Sequence, residues 1–243
     1  MKIRYEERAV AFIDVLGFGA LASDAATDQD KLSELEGVNR LLNSAIPSLD
    51  RGVSKAVPED LVPIHNQISD CIILSAPMTT KLEGWKHYSG LEIVLMRISQ
   101  LTHRFLEAGY LLQGGVDVGP VWHTPENIIG PAYQCAFYLE NNNSDPSLVL
   151  SDRAAERFRE NATNRIAIEY SSKTIANGLH SEYFRSKNST YEEKYRGYQI
   201  IVQKKINGLS GRPRDKWLWF KDYLEFEFEE QCPGYQAAMR ANA

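Results

Sequence analysis

Near the start of the chain, Ala9, Val10, Ala11, Phe12 and Ile13 follow one another without a polar break. A strand that faced water on one side would alternate. An unbroken apolar run over residues 8–16 therefore predicts a central strand covered on both faces. A single carboxylate, Asp14, stands near the end of this run, and Gly17 and Gly19 punctuate it. An unpaired charge at the edge of a core is costly, so Asp14 implies a partner elsewhere in the chain.

The rest of the sequence supplies both strands and helices. Leu32, Leu35, Leu42 and Ile46 recur at roughly helical spacing, and "GVSKAVPEDLVP" reads as a loop. Leu61–Ile68 and Cys71–Ala76 read as two short strands meeting in a hairpin at Ser69 and Asp70. Residues 88–108 give the clearest helix, with Leu91, Val94, Leu95, Ile98, Leu101 and Phe105 on one stripe and Gly109 as its stop. "YLLQGGVDVGPVW" reads as a strand with a turn, "AYQCAFYLE" as a helix and "SLVLS" as a strand. Asp152 is expected to cap a helix over "RAAERF". "YQIIVQ" and "KWLWF" look like late strands joined by the basic loop "KKINGLSGRPRDK". This order predicts an α/β protein, an α+β sandwich of helices on a largely antiparallel sheet. A single domain over 1–243 is expected, with a C-terminal elaboration from about residue 171, and no repeat stands out.

Composition narrows the class of partner. The formal charge of −5 speaks against broad nucleic-acid or anionic-membrane binding. Cys71, Cys135 and Cys232 are odd in number, with no zinc-ligand spacing, and read as reduced thiols. His65, His87, His103, His123 and His180 are likewise scattered without metal spacing. With no leader before Tyr5 and no run long enough to span a bilayer, a soluble cytoplasmic protein is expected.

Asp14 and Asp70 each sit at the end or turn of an apolar strand. A hairpin beside the central strand can set its turn against that strand's end, and two carboxylates there need a counterion. Mg²⁺ or Mn²⁺ suits such hard oxygen ligands. The plainer alternative is that Asp14 caps a helix and Asp70 simply closes a turn. Gly17-Phe18-Gly19 would let a phosphate approach backbone N–H groups at a helix start, although it lacks the lysine of a Walker-type loop. Asp117 is either a third ligand or, as the commoner case, a solvent-facing strand residue.

Several blocks resemble one family in order. "FIDVLGFG" is similar to the "F-x-D-h-x-G-F-T" segment of class III nucleotidyl cyclases, where h is apolar. "ISDCIILSAP" resembles that family's acidic hairpin, "GGVDVGPV" its "V-G-I-x-x-G-P-V" strand, "IGPAYQCAFYLE" its "W-G-x-x-V-N-x-A-x-R-h" helix and "LVLSDRAAERF" the strand and helix that follow. The blocks span roughly residues 8–160. The resemblance implies a ferredoxin-like cyclase catalytic domain. In it Asp14, Asp70 and the Val15 carbonyl hold two Mg²⁺ or Mn²⁺ ions, and Gly17, Phe18 and Gly19 lie under a triphosphate. It places Gln134 at the ribose-orienting position, Tyr138 at the transition-state arginine, Asn66 and Asn127 at the base-reading pair and Lys205 near a late triphosphate lysine.

The departures carry information. Asn66 and Asn127 replace a lysine and aspartate that read adenine, and asparagine suits the amide-like edge of a pyrimidine. Tyr138 cannot supply a permanent charge, and Gln113 stands where many relatives have arginine, so cations are expected from the basic segment around Lys204 and Lys205. The chain is most similar to the pyrimidine cyclases of the bacterial Pycsar antiphage system. That resemblance implies UTP or CTP as substrate, cyclic UMP or cyclic CMP as product, a separate effector and a homodimer with shared sites. The competing expectation is a cyclase-like module that senses a nucleotide without turnover.

Overall fold

The computed structural model describes residues 2–51, 57–85, 87–161, 165–180 and 190–232. Its centre is β1, Glu6–Val15, which pairs antiparallel with β3, Cys71–Pro77, on one side and with β4, Leu112–Thr124, on the other. β2, Ile64–Ile68, forms the edge beside β3. Beyond β4 come β6, Leu148–Leu150, then β8, Lys173–Ala176, and β7, Ala167–Tyr170, giving the order β2-β3-β1-β4-β6-β8-β7. The short β5, Asn127–Ile129, folds back on β4. β4 and β6 are parallel, and the crossover that a parallel pair requires is α4, Pro131–Asn142. The other pairings are antiparallel. The expected mixed α/β architecture, a mostly antiparallel sheet with helices packed on it, is the one observed.

β1 is covered on both faces, as its unbroken apolar run predicts. Ala9, Ala11, Ile13 and Val15 join the main core with Leu42, Leu95, Ile98 and Phe105. Those partners come from α2, Gln29–Arg51, and α3, Gly90–Glu107. Val10 and Phe12 face the other way, onto Ala132 and Ala136 of α4. That contact is very close: a Cβ on Gly115 of β4 would lie 2.3 Å from the Ala136 carbonyl oxygen. In "QGGVD" a Cβ on Gly114 would instead meet the Phe12 carbonyl oxygen of β1 at 2.1 Å, so Gly115 is the glycine that admits the helix. The glycine pair makes no turn, and β4 is one continuous 13-residue strand. α3 starts at Ser89, whose hydroxyl accepts from the Leu91 N–H at 3.2 Å, and gives way to Gly109 at φ 82°.

Three other expectations are corrected. The "late strands" are helices, α6 at Tyr191–Gly208 and α7 at Gly211–Gln231. Their β-branched and aromatic residues mimic strands over five or six positions. Over a longer window Tyr195, Tyr198, Val202 and Ile206 form one helical stripe, and Trp217, Phe220, Leu224 and Phe228 another, buried together in a second core. The basic segment is consequently the end of α6 and the start of α7, with Leu209 and Ser210 between them. At α5, Asp152–Asn161, the cap is Ser151, whose hydroxyl accepts from the Ala154 N–H at 3.1 Å, while Asp152 is already helical. Finally, Asp117 does not face solvent. It is fully buried, accepting a hydrogen bond from Ser151 and pairing with Arg153. A buried carboxylate persists where such partners are supplied.

Candidate active site

Asp14 lies one residue from the end of β1, and the strand ladders determine its neighbours. On one flank it is in register with Gln113 of β4. On the other, Ile13 opposes Ile72, so the next step along the antiparallel pair sets Cys71 beside Asp14. The Cys71 thiol donates to Asp14 Oδ1 at 3.7 Å. The β2–β3 ladder closes with Ile68 opposite Cys71, and Ser69, at φ 57°, lets two residues complete the turn. That turn brings Asp70 to the end of β1. Ligand atoms of Asp14, Asp70 and Cys71 lie within 4.8 Å of one another.

This crowding has an electrostatic signature. Burial, followed by the charges of Asp70 and Glu140, pushes the Asp14 carboxyl up to about 7. Glu140, in the last turn of α4, is also raised, chiefly by burial. Burial and the neighbouring carboxylates push the Cys71 thiol up to about 12, so it stays protonated. The charged donors are thus carboxylate oxygens alone. They fit Mg²⁺ or Mn²⁺, and the neutral thiol adds no soft ligand of the kind that zinc prefers.

Beyond the buried Val15, the Leu16 N–H bonds to the Leu111 carbonyl at 3.0 Å and the chain turns into α1, Phe18–Ala25. Gly17 occupies the N-cap at φ 87° and no side chain caps this helix. Its first-turn N–H groups are donors available to an anion. A Cβ at Gly17 or Gly19 would meet nothing within 4 Å, and Phe18 packs inward on the main core. A cavity of about 420 Å³ opens behind this turn, lined by Gly17, Glu34, Tyr110, Lys205, Arg212 and Lys216 with other residues. Lys205 Nζ sits 5.3 Å from the Tyr110 ring centre and 5.8 Å from that of Trp217.

Asn66 and Asn127 meet at one turn. Asn66 Nδ2 donates to the Pro125 carbonyl at 2.6 Å and the Thr124 carbonyl at 3.2 Å. Its Oδ1 therefore accepts from His123 Nε2 at 2.5 Å, which leaves His123 Nδ1 to accept from the Ser75 hydroxyl at 2.6 Å. Arg8 Nε donates to the same hydroxyl at 2.8 Å. Burial and then Arg8 push the His123 ring down to about 4, so it is neutral. Asn66 thus braces the turn between β4 and β5, from which the exposed Asn127 projects.

Gln134 and Tyr138 occupy the outer face of α4, and Tyr138 is 65% exposed. The same helix turns Tyr133 and Phe137 toward Phe12, with ring centres 6.2 and 5.1 Å away. Asp14 and Asp70 are therefore brought together within this chain, while Gln134 and Tyr138 are presented outward.

No family model and no curated protein matches the sequence. Among solved structures, the adenylyl cyclase CyaB from P. aeruginosa is similar at 14% identity and a TM-score of 0.46, over 72% of this chain and 94% of that one. The catalytic core of a rhodopsin-guanylyl cyclase with converted specificity, in complex with ATPalphaS, is similar at 13% identity and a TM-score of 0.48, over 70% and 94%. The guanylate cyclase domain of RhGC from Catenaria anguillulae, in complex with GTP, is similar at 14% identity and a TM-score of 0.45, over 70% and 94%. Likeness at that level establishes neither an activity nor a substrate for this chain.

Two residues at the site escape a reading by motif. Glu140 carried a usable signal, because an acid in the last turn of a helix opposes the helix dipole and implies some other reason for its presence. Lys216 had none; it is one basic residue among several between Lys204 and Lys216. Its Nζ donates to Gln113 Oε1 at 2.7 Å.

Proposed function

We propose that this protein is a nucleotidyl cyclase that converts UTP to cyclic UMP and pyrophosphate, with CTP to cyclic CMP as the alternative. The observation that carries the reading is the meeting of Asp14 and Asp70 beside an uncapped, glycine-bounded helix start. In the reaction the ribose 3′-oxygen bonds to the α-phosphorus, the bond to pyrophosphate breaks, and the hydroxyl proton is released. Two divalent ions, when bound, would supply charge neutralisation and a more acidic 3′-hydroxyl.

The chain's own residues hold and orient. Asp14 and Asp70, with the Val15 carbonyl, are the ion ligands, and the Gly17–Gly19 amides receive phosphate oxygens. Gln134 orients the ribose, and the Tyr138 hydroxyl donates to the phosphate undergoing attack. Both are exposed on α4, which supports a homodimer in which each copy completes its partner's site. Asn127 reads the pyrimidine edge from a turn held by Asn66. Lys205 contributes positive potential from the cavity behind the turn. By its resemblance to the Pycsar group, the product serves as a second messenger to a separate effector in antiphage defence.

The test is purified protein incubated with each of four nucleoside triphosphates and Mn²⁺, with products read by mass spectrometry. Cyclic UMP or cyclic CMP is expected, and Asp14→Asn or Asp70→Asn should abolish it. Cyclic AMP as the sole product would overturn the pyrimidine assignment, and full activity in both variants would overturn the metal assignment. A nucleotide sensor would bind a triphosphate and return it unchanged.

A further inference from the structure

The Gln113 side chain is oriented from α4. Its Nε2 donates to the Asn143 carbonyl at 2.9 Å, the Glu140 carbonyl at 3.2 Å and Glu140 Oε1 at 3.4 Å. With both amide hydrogens committed to the end of that helix, Oε1 is the free acceptor, and it is the atom that Lys216 Nζ meets at 2.7 Å. Gln113 is also the register partner of Asp14. An ammonium from α7 is thereby held over the end of the strand that carries the metal-site acid.

The acceptor is a neutral oxygen, so this bond orients the ammonium without cancelling its charge. Arg212, one turn earlier on α7, lines the same cavity as Lys216 and Gly17. Like charges four residues apart on a helix repel, and no acid stands in the first turn of α7. Arg212 and Lys216 line this cavity with Lys31 and Lys205 against two acids, Asp24 and Glu34, and this excess of cations beside a helix start with free N–H donors forms a site for a polyanion.

We propose that Lys216, positioned by Gln113 and assisted by Arg212, binds the polyphosphate of the nucleotide beside Asp14 and Asp70. This rests on the cyclase reading for the identity of the nucleotide. It also meets an electrostatic need of that reading, because Gln113 and Tyr138 are neutral and a triphosphate carries several negative charges. Lysine suits the role as a point charge on a flexible stem.

Inorganic tripolyphosphate with Mn²⁺, titrated by calorimetry, tests the site without requiring turnover. Lys216→Met should weaken tripolyphosphate binding roughly 10–100-fold, the range of a lost charge-assisted hydrogen bond. Binding of Mn²⁺ alone should be preserved, and Lys216→Arg should recover most of the affinity. Gln113→Leu, which removes the positioning acceptor together with the amide bonds to the end of α4, should raise KM for the nucleotide several-fold more than it lowers kcat. If Lys216→Met fails to fold, as judged by circular dichroism, Lys216→Gln and Lys216→Arg provide the same contrast. Binding by a folded Lys216→Met or Lys216→Gln within twofold of wild type would overturn the proposal, as would wild type that does not bind tripolyphosphate. Lys216-dependent binding without cyclisation of any nucleotide would uphold the polyphosphate site and overturn the cyclase reading.

Discussion

Replacing Asp14 with asparagine should make the metal-free protein more stable while removing its response to divalent ions. The carboxyl lies at about 7 in the folded chain against an ordinary 3.8, raised first by burial and then by Asp70 and Glu140. The folded state therefore retains a proton that the unfolded chain releases. The stability contributed by this group is greatest below pH 4, falls as pH rises from about 4 to 7, and levels off above 7. At about 1.36 kcal/mol per unit, the full interval corresponds to roughly 4 kcal/mol. The side chain is partly exposed, so solvent screening reduces this to about 1–2 kcal/mol. Asparagine keeps an oxygen for the Cys71 thiol but carries no charge. At pH 8 without metal, Asp14→Asn should melt a few degrees above wild type, since about 1 kcal/mol moves a chain of this size by roughly 2–4 °C. Mn²⁺ at a hundred times its dissociation constant should stabilise wild type by about 2.7 kcal/mol and the variant hardly at all. Differential scanning fluorimetry at pH 5 and pH 8, with EDTA or Mn²⁺, reads all four conditions. A variant less stable than wild type at pH 8 in EDTA would show that the Asp14 charge is not a net cost to the fold, and one that gains full stabilisation from Mn²⁺ would show that Asp14 is not a metal ligand.

His123 should give the opposite pH slope. Its folded value near 4 lies below the ordinary 6.5, so its contribution is intact above pH 6.5 and lost as pH falls toward 4; urea unfolding should show about 2–3 kcal/mol less stability at pH 4.5 than at pH 7 from this group, and His123→Gln should flatten that part of the profile. Gly115→Ala should cost about 1–3 kcal/mol or more in chemical denaturation, because its Cβ would meet the Ala136 carbonyl and push α4 away from β4. Glu227 is fully buried, paired with Arg165 and accepting from Asn177 Nδ2 at 2.8 Å. Glu227→Ala should cost roughly 1–3 kcal/mol, because the buried Asn177 Nδ2 loses one of its acceptors while the partly exposed Arg165 stays solvated, and hydrogen exchange should show α7 loosening from its contacts with the β7–β8 region.

Much of the fold was legible because its signals are local. The unbroken run in β1 implies cover on both faces, the break at Ser69 and Asp70 implies a hairpin, and the stripe from Leu91 to Phe105 implies a helix. α6 and α7 were misread for a related reason: over five or six residues, "YQIIVQ" and "KWLWF" satisfy strand preference and helix periodicity equally well. Only the second core distinguishes them, by burying Tyr195 with Phe228, whose rings stack at 5.0 Å, and leaving Ile200 71% exposed. Asp117 was misread because its burial depends on Ser151 and Arg153, 34 and 36 residues further along the chain.

From the amino-acid sequence alone, an acid at the end of a covered strand called for a counter-charge, and a hairpin carrying a second acid, Asp70, lay within reach. Both follow from the cost of burying a charge and from the short range of turn geometry. Tertiary structure decided the rest of the electrostatics. Glu140 arrives on a crossover helix, Gln113 by strand register, and Lys216 on a helix that begins about two hundred residues after Asp14. Charges act through space, and the residues adjacent in space to Asp14 are set by how the layers pack.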